Sequence, residues 1–207
     1  MSCREPDRAT EDEHTIMLRI EKIFVRLICI LVGMMAVHCR TPRFEVLEPP
    51  VSLEGISLVD VDHRVVDTKD ILFVVTGYTR CPDICPTTLR SAVMVMDRLP
   101  AASRARFAFL SVDAKNDSPQ KTRDYASGFS KKLIALDPSI ESSRRFLTLA
   151  SVFASVDSET ALIQHSTSIL WVQDGKIMRK IPVRFASQDL VEEIQDAERE
   201  KAERRNM

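Results

Sequence analysis

The sequence predicts an α/β fold, in which helices pack on the faces of a central sheet. Three observations support this class. The continuous apolar run Ile71–Val75 has the pattern of a strand buried on both faces. Apolar residues then recur at helical spacing between Leu89 and Leu99. Further along the chain, Asp174-Gly175 separates two apolar runs, which is a strong signal for a β-hairpin.

Length, composition and charge narrow the class of protein. The chain has 207 residues, which corresponds to one globular domain with additional segments or to two very small domains. Apolar residues make up 44% and charged residues 29%, so extensive disorder is excluded. The formal net charge of −1 provides no basic field for phosphates, and we expect no nucleic-acid partner. Five cysteines are too few and too scattered for a disulfide-based scaffold.

The N-terminal part divides into a polar segment, residues 1–22, and an apolar segment, residues 23–39. We favour an uncleaved membrane anchor for the apolar segment, which is somewhat shorter than the ~20 residues of a typical spanning helix. A cationic flank at its N-terminal side, formed by Arg19, Lys22 and Arg26, predicts that the following chain lies outside the cytoplasm. The alternatives are a cleaved signal, a lipoprotein carrying its lipid on Cys39, and a buried helix of a soluble domain.

Strands and helices alternate over residues 40–195, the predicted globular domain. Besides the central strand, short apolar runs bounded by turn residues predict strands at Gly55–Asp60, Arg64–Asp67, Arg106–Val112, Leu133–Leu136, Ser166–Val172 and Ile177–Val183. Helices are predicted to begin near Pro86, Ser118, Pro138 and Ser187. The C-terminal residues 196–207 are almost purely charged, and we expect them to form a solvated or frayed tail.

Only two cysteines, Cys81 and Cys85, have a spacing that indicates chemistry. A proline follows each of them, and a residue before proline is disfavoured in the α region, so we expect a helix to begin at Pro86 with Cys85 at its cap. The positive end of the helix dipole, and Arg80 if it turns toward the sulfurs, should lower thiol pKa values and make both cysteines reactive. The pair could close a disulfide, or two thiolates could converge on one soft metal ion.

A metal held by two thiolates needs a third ligand, and His165 is the best candidate. It stands at the entry to the hairpin, where a strand beside the central strand could bring it to the same edge of the sheet. The other histidines are expected to be structural or incidental; they are His14, His38 and His63. Two sulfurs and one imidazole are too few for structural zinc, whereas they suit copper, with Cu(I) favoured by sulfur and Cu(II) tolerated through nitrogen.

The segment Thr76–Leu89, with its Cys-Pro-Asp-Ile-Cys-Pro core, resembles the signature of the SCO/SenC family of copper chaperones. The similarity covers roughly residues 44–183 and includes Ser111-Val112-Asp113, Asp117-Ser118-Pro119, Gln164-His165-Ser166 and Asp174-Gly175. The resemblance implies a thioredoxin-like fold with a central mixed sheet flanked by helices, preceded by a single N-terminal membrane helix. It also implies copper bound by Cys81, Cys85 and His165.

The resemblance further implies a role in assembling the dinuclear copper centre of cytochrome c oxidase, by delivering copper, by reducing the cysteines of that subunit, or both. The expected partners are the copper-accepting subunit and another periplasmic copper chaperone or a thioredoxin-like reductant. The implied location is the inner (cytoplasmic) membrane, with the soluble domain facing the periplasm. The alternative location is the mitochondrial inner membrane, with that domain facing the intermembrane space.

Three positions depart from the family pattern: Arg80 stands where His is common, Ala114 where Pro is frequent, and Gln164 where Asp usually precedes the histidine. None of these departures deletes a ligand, but Gln164 removes a carboxylate that could orient the imidazole. The alternative function is therefore a membrane-anchored thiol–disulfide oxidoreductase that carries no copper, with Cys81 and Cys85 as its redox pair. A metallochaperone itself need not be an enzyme. A third hypothesis is an anchored binding domain with an incidental disulfide.

Overall fold

The computed structural model describes residues 44–156, 163–165 and 168–205. The strands in these ranges are β1 (Glu45–Ser52), β2 (Leu72–Gly77), β3 (Arg106–Ser111), β4 (Ile134–Ala135), β5 (Ala154–Val156), β6 (Ile163–His165), β7 (Ser168–Gln173) and β8 (Lys176–Pro182). The helices are α1 (Ile84–Arg98), α2 (Pro119–Phe129), α3 (Glu141–Leu149) and α4 (Ser187–Arg205). Within the described ranges, no helix has the length and hydropathy to cross a membrane. The anchor or signal predicted at residues 23–39 lies outside them.

The main sheet is mixed and has the strand order β1-β8-β7-β2-β3-β4. Its strands β2, β3 and β4 are parallel, whereas β7 pairs antiparallel with both β2 and β8, and β8 with β1. All six residues of β2 are buried, as predicted for the central strand. A separate two-stranded antiparallel ladder joins β5 to β6. The prediction of an α/β fold with a central mixed sheet is confirmed.

Alternate residues of β2 fill the cores on the two faces of the sheet. Phe73 and Val75 pack in the cluster that includes side chains of α1, α2 and α4, whereas Leu72 and Val74 pack with α3. The Phe73 ring stacks on that of Phe107 with a centroid separation of 4.7 Å. Burial of a large apolar side chain contributes about 1.5–3 kcal/mol, so these contacts hold β2 and its carboxyl end in place.

Two local predictions are confirmed. Asp174 and Gly175 both have positive φ, 51° and 69°, as the two central residues of a tight hairpin turn between β7 and β8 require. Ser118 caps α2, since its side chain accepts a hydrogen bond from the backbone N–H of Lys121, and Pro119 occupies the first helical position.

The prediction of two short strands at residues 55–60 and 64–67 is wrong, because only isolated β-bridges form there. The Asp60 carboxylate accepts hydrogen bonds from the backbone N–H groups of Asp62 and Arg64, at 2.8 and 2.9 Å. This local bonding folds the segment into a tight turn and takes up donors that a strand ladder would use.

The expectation of a solvated or frayed tail at residues 196–207 is wrong as to fraying over the described residues, since α4 continues to Arg205. Lys201 Nζ donates a hydrogen bond to Asp174 Oδ1 at 2.8 Å, next to the hairpin turn. The Glu198 carboxylate accepts three hydrogen bonds from the loop before β3, donated by Ser103 Oγ, Arg104 N–H and Ala105 N–H. The charged end of α4 therefore docks through partners distant in sequence, at the end of the sheet where β3 begins and the β7–β8 turn lies.

We predict that Glu198→Ala lowers the free energy of unfolding by about 1–2 kcal/mol, because it leaves loop donors without their acceptor. Glu203→Ala is the matched control: Glu203 is exposed on the same helix, and its change should stay within about 0.5 kcal/mol. Urea denaturation of the two variants checks both values. Equal effects of the two substitutions would contradict docking through Glu198.

Candidate metal centre

The loop between β2 and α1 places Cys81 at the carboxyl end of the central strand, and a buried carboxylate holds this loop. Asp117 is only 1% exposed. It accepts hydrogen bonds from the Thr79 backbone N–H at 2.8 Å, from Thr79 Oγ1 at 2.6 Å and from Ser111 Oγ at 2.5 Å. Because a buried carboxylate is costly without such donors, this network fixes the loop against the end of β3.

The sulfur of Cys85 packs directly on the end of β2. Cys85 is 2% exposed. A Cβ atom at Gly77 would lie 2.7 Å from Cys85 Sγ and 3.2 Å from the Phe109 ring. Only glycine permits this approach of backbone to sulfur, so Gly77 defines the position of Cys85.

The helix start differs from its sequence prediction. Helix α1 begins at Ile84 with Asp83 as N-cap, so Cys85 lies inside the first turn instead of at the cap. The first intrahelical bond runs from Thr87 N–H to Asp83 O, at 3.2 Å. Pro86 fits this turn because the first backbone N–H groups of a helix have no intrahelical acceptor in any case. The packing of Cys85 under Gly77 therefore outweighs the local preference of a residue before proline.

The two thiols have opposite electrostatic environments. Burial, together with the hydrogen bond to Cys81, raises the pKa of Cys85 to about 12. Burial also acts to raise the pKa of Cys81, but hydrogen bonds from the Cys85 thiol and from backbone N–H groups outweigh it and lower that pKa below the ordinary thiol value. The backbone donors belong to Asp83, Ile84 and Cys85. These pKa directions favour reactivity at Cys81 and disfavour it at Cys85, so the expectation that both cysteines are reactive stays a prediction.

Arg80 points toward a carboxylate. Its Nη2 atom lies 3.0 Å from Oδ2 of Asp113, which is 6% exposed and also accepts hydrogen bonds from the Asn116 side chain. Arg80 therefore does not turn toward the sulfurs. It forms an ion pair that holds the loop to the segment after β3. The pKa of Cys81 is lowered by hydrogen bonds instead.

The structure brings His165 close to Cys85. His165 ends β6 and pairs with Ala154 of β5, whereas the neighbours of β2 are β3 and β7. The prediction that a strand beside the central strand carries His165 is therefore wrong. The Nε2 atom of His165 lies 3.9 Å from Cys85 Sγ, although the two residues are 80 positions apart. The expected convergence is thus present for Cys85 and His165, through the short ladder that precedes β7.

Tyr78 lies at the centre of this arrangement and is missed by the sequence reasoning. It is 3% exposed and forms a small apolar cluster with Cys85 and Ile163. Its ring meets that of His165 edge-on, with centroids 5.9 Å apart. Burial is the largest contribution that raises the pKa of Tyr78, so its phenol stays protonated. Gly77 and Asp117 are missed in the same way, because their roles depend on partners far along the chain.

The donor set suits a soft metal ion. Among the described residues, no group of three His, Cys, Asp or Glu side chains already has the arrangement of a metal site. Two ligand atoms bonded to one metal at about 2.0–2.3 Å lie roughly 3.5–4 Å apart at wide angles, and the Cys85–His165 separation of 3.9 Å falls in this range. Cys81 packs against the cluster that contains Cys85 and completes a sulfur pair. That all three are metal ligands stays a prediction.

The SCO1/SenC family model matches residues 57–198. The chain belongs to the SCO1/SenC family. A relative from Stutzerimonas stutzeri, described as a candidate copper-binding protein, is 31% identical over 163 residues, which cover 72% of this chain and 79% of the relative. The family resemblance read from the cysteine segment is confirmed.

Solved structures of the family share the fold. Apo Sco1 from Thermus thermophilus superposes with a TM-score of 0.67 at 23% identity, covering 77% of this chain and 99% of that one. BsSco, described as a member of the Sco family of cytochrome c oxidase assembly proteins with a disulfide switch, gives a TM-score of 0.56 at 18% identity, covering 77% and 96%. At these identities the similarity shows the fold alone, which is the predicted thioredoxin-like arrangement.

We predict that a short pulse of iodoacetamide at pH 7 to 8 modifies Cys81 well before Cys85. The thiolate is the reacting form, so the rate rises as pH passes through each pKa, which is lowered for Cys81 and raised to about 12 for Cys85. Peptide mass spectrometry of the reduced chain measures both rates. Equal rates at the two cysteines would contradict the asymmetry.

We predict that Gly77→Ala displaces Cys85 and lowers the free energy of unfolding by about 1–3 kcal/mol, because the added methyl group overpacks against Cys85 Sγ. Gly128→Ala in α2 is the matched control, since its Cβ would meet nothing within 4 Å; it should stabilise the chain by about 0.5–1 kcal/mol. Denaturation of both variants measures the difference. A Gly77→Ala chain as stable as the parent would show that the close contact is not a constraint.

Proposed function

We propose that this SCO1/SenC protein is a copper chaperone that binds copper through Cys81, Cys85 and His165 and assists assembly of the dinuclear copper centre of cytochrome c oxidase. The observation that carries the proposal is the 3.9 Å separation of Cys85 Sγ and His165 Nε2, which joins distant parts of the chain at the sulfur pair. Two soft thiolates and one imidazole form a ligand set that suits copper, because sulfur favours Cu(I) and imidazole also binds copper.

The uneven burial of the three ligands suits a cargo that must enter and leave. Cys85 is 2% exposed, whereas Cys81 and His165 are both partly exposed. Cys85 can therefore serve as the fixed inner ligand, and a partner can approach copper from the side of Cys81 and His165. Copper would pass to the partner as the partner's ligands replace these two in turn, and the high pKa of Cys85 favours its return to the neutral thiol when copper leaves.

We propose the partner and the location from the family to which the chain belongs. The relative from Stutzerimonas stutzeri is described as a candidate copper-binding protein, and BsSco belongs to a family of cytochrome c oxidase assembly proteins. The proposed acceptor is the copper-accepting subunit of that oxidase, with another copper chaperone or a thioredoxin-like reductant as the preceding partner. We propose that residues 23–39 tether the domain to the inner membrane and that it faces the periplasm.

A second candidate function, thiol–disulfide exchange, is favoured by the asymmetry of the two thiols. The Cys81 thiolate would attack one sulfur of a partner disulfide and release the other partner sulfur as a thiolate, leaving a mixed disulfide. Cys85, after losing its proton, would attack Cys81 Sγ and release the second partner thiolate. The partner then holds two thiols, this chain holds the Cys81–Cys85 disulfide, and two electrons have passed to the partner.

We predict that the reduced full chain binds about one Cu(II) with sulfur-to-copper charge-transfer absorption, and that His165→Ala weakens this binding by at least tenfold, because one of three ligands is lost. His63→Asn is the matched control: His63 is exposed in a polar turn with φ of 62°, and asparagine tolerates this conformation. Near-parental copper affinity in His165→Ala would remove His165 from the site.

A cellular comparison separates the two functions. Under the copper-chaperone proposal, His165→Ala impairs cytochrome c oxidase assembly as Cys81→Ser does, because both variants lack a ligand. Thiol exchange does not need the imidazole, so normal oxidase activity in His165→Ala together with loss of activity in Cys81→Ser would favour the oxidoreductase. Oxidase activity of membranes from cells carrying each variant is the measurement.

A further inference from the structure

Tyr78 contacts every part of the proposed copper site. It precedes the cysteine loop, its ring lies edge-on to the His165 ring, and it is 3% exposed. Its hydroxyl oxygen accepts a long hydrogen bond, 3.4 Å, from the backbone N–H of Ile163, the first residue of β6. Cys81 packs against the apolar cluster that Tyr78 forms with Cys85 and Ile163. One side chain therefore contacts both the strand that carries the imidazole and the loop that carries the thiols.

This connection matters because β6 is outside the main sheet. Among the described residues, β6 forms strand pairs only with β5, in a ladder of three residue pairs. Such a short ladder gives little support by itself, since two-stranded ribbons are marginally stable in water. The apolar cluster of Tyr78, Cys85 and Ile163 adds packing where the ladder meets the cysteines.

We propose that Tyr78 is a positioning residue that sets the approach of His165 to the two sulfurs, its hydroxyl holding the start of β6 beside the cysteine loop and its ring limiting the rotation of the imidazole. The inference rests on the proposed function, because it concerns how this chain presents its copper ligands. A tyrosine hydroxyl oxygen can accept a hydrogen bond from a backbone N–H group, which is the bond that Ile163 donates. Phenylalanine keeps the ring and removes this acceptor.

Tyr125 provides a matched control in the same region. Its ring packs on those of Phe109 and Phe129, with centroids 5.1 and 5.2 Å away. Its buried hydroxyl has no hydrogen-bond partner among the residues that the structure describes. Removing this hydroxyl breaks no hydrogen bond among the described residues, so Tyr125→Phe should leave the hydrogen exchange of β6 as it is.

The test compares Tyr78→Phe and Tyr125→Phe in the full chain by two measurements. The first needs no copper: amide hydrogen exchange of the reduced chain should become faster at Ile163 and through β6 in Tyr78→Phe alone. The second is Cu(II) titration, in which Tyr78→Phe should bind about tenfold more weakly and with a less intense thiolate charge-transfer band. Thermal melting of both variants checks that each retains its fold.

The outcomes separate this inference from the proposed function. Unchanged exchange at Ile163 in Tyr78→Phe would overturn the inference, as would parental copper affinity and band intensity in that variant. Equal losses in both tyrosine variants would also overturn it, because the effect would then be general loosening of the core. Failure of the parent chain to bind copper would overturn the proposed function itself and, with it, the ligand-positioning role.

Discussion

The contact between Gly77 and the sulfur of Cys85 is the constraint on which the rest of the site depends. It fixes a thiol at the carboxyl end of the central strand, with no room for a side chain on the strand residue. Because the core on both faces of the sheet holds β2, the position of Cys85 is set by the whole domain. The first turn of α1 must then begin early enough to place Cys85 under the strand, and the cysteine loop must close over it.

The early start of α1 explains why the two thiols differ. The backbone N–H groups at a helix N-terminus need acceptors. In this chain the N–H groups of Asp83, Ile84 and Cys85 lower the pKa of Cys81, which lies before the helix, whereas burial dominates at Cys85, which lies within it. Asp117 and the Arg80–Asp113 ion pair hold the loop so that Cys81 stays in front of these donors. A buried thiol with a raised pKa and a partly exposed thiol with a lowered pKa follow from one local arrangement, which suits both metal transfer and thiol exchange.

Much of the fold could be predicted from the sequence because its signals are local. An unbroken apolar run predicts the buried strand β2, a Ser-Pro pair predicts the start of α2, and Asp174-Gly175 predicts the hairpin. The errors occur where distant partners decide the outcome. The charged end of α4 docks through Glu198, whose partners are more than ninety residues away. In the site, spacing identified the cysteines and His165, but the role of Tyr78 depends on a contact with Ile163, 85 positions further along the chain.

The central claim is that folding brings one imidazole to a pair of sulfurs so that the three hold copper together. X-ray absorption spectroscopy of the copper-loaded full chain tests it most directly, because this method identifies the atoms bonded to the metal. The account predicts two sulfur ligands and one histidine nitrogen, with the nitrogen contribution lost in His165→Ala. A copper environment without the sulfur pair, or one whose histidine signal is unchanged in His165→Ala, would contradict it.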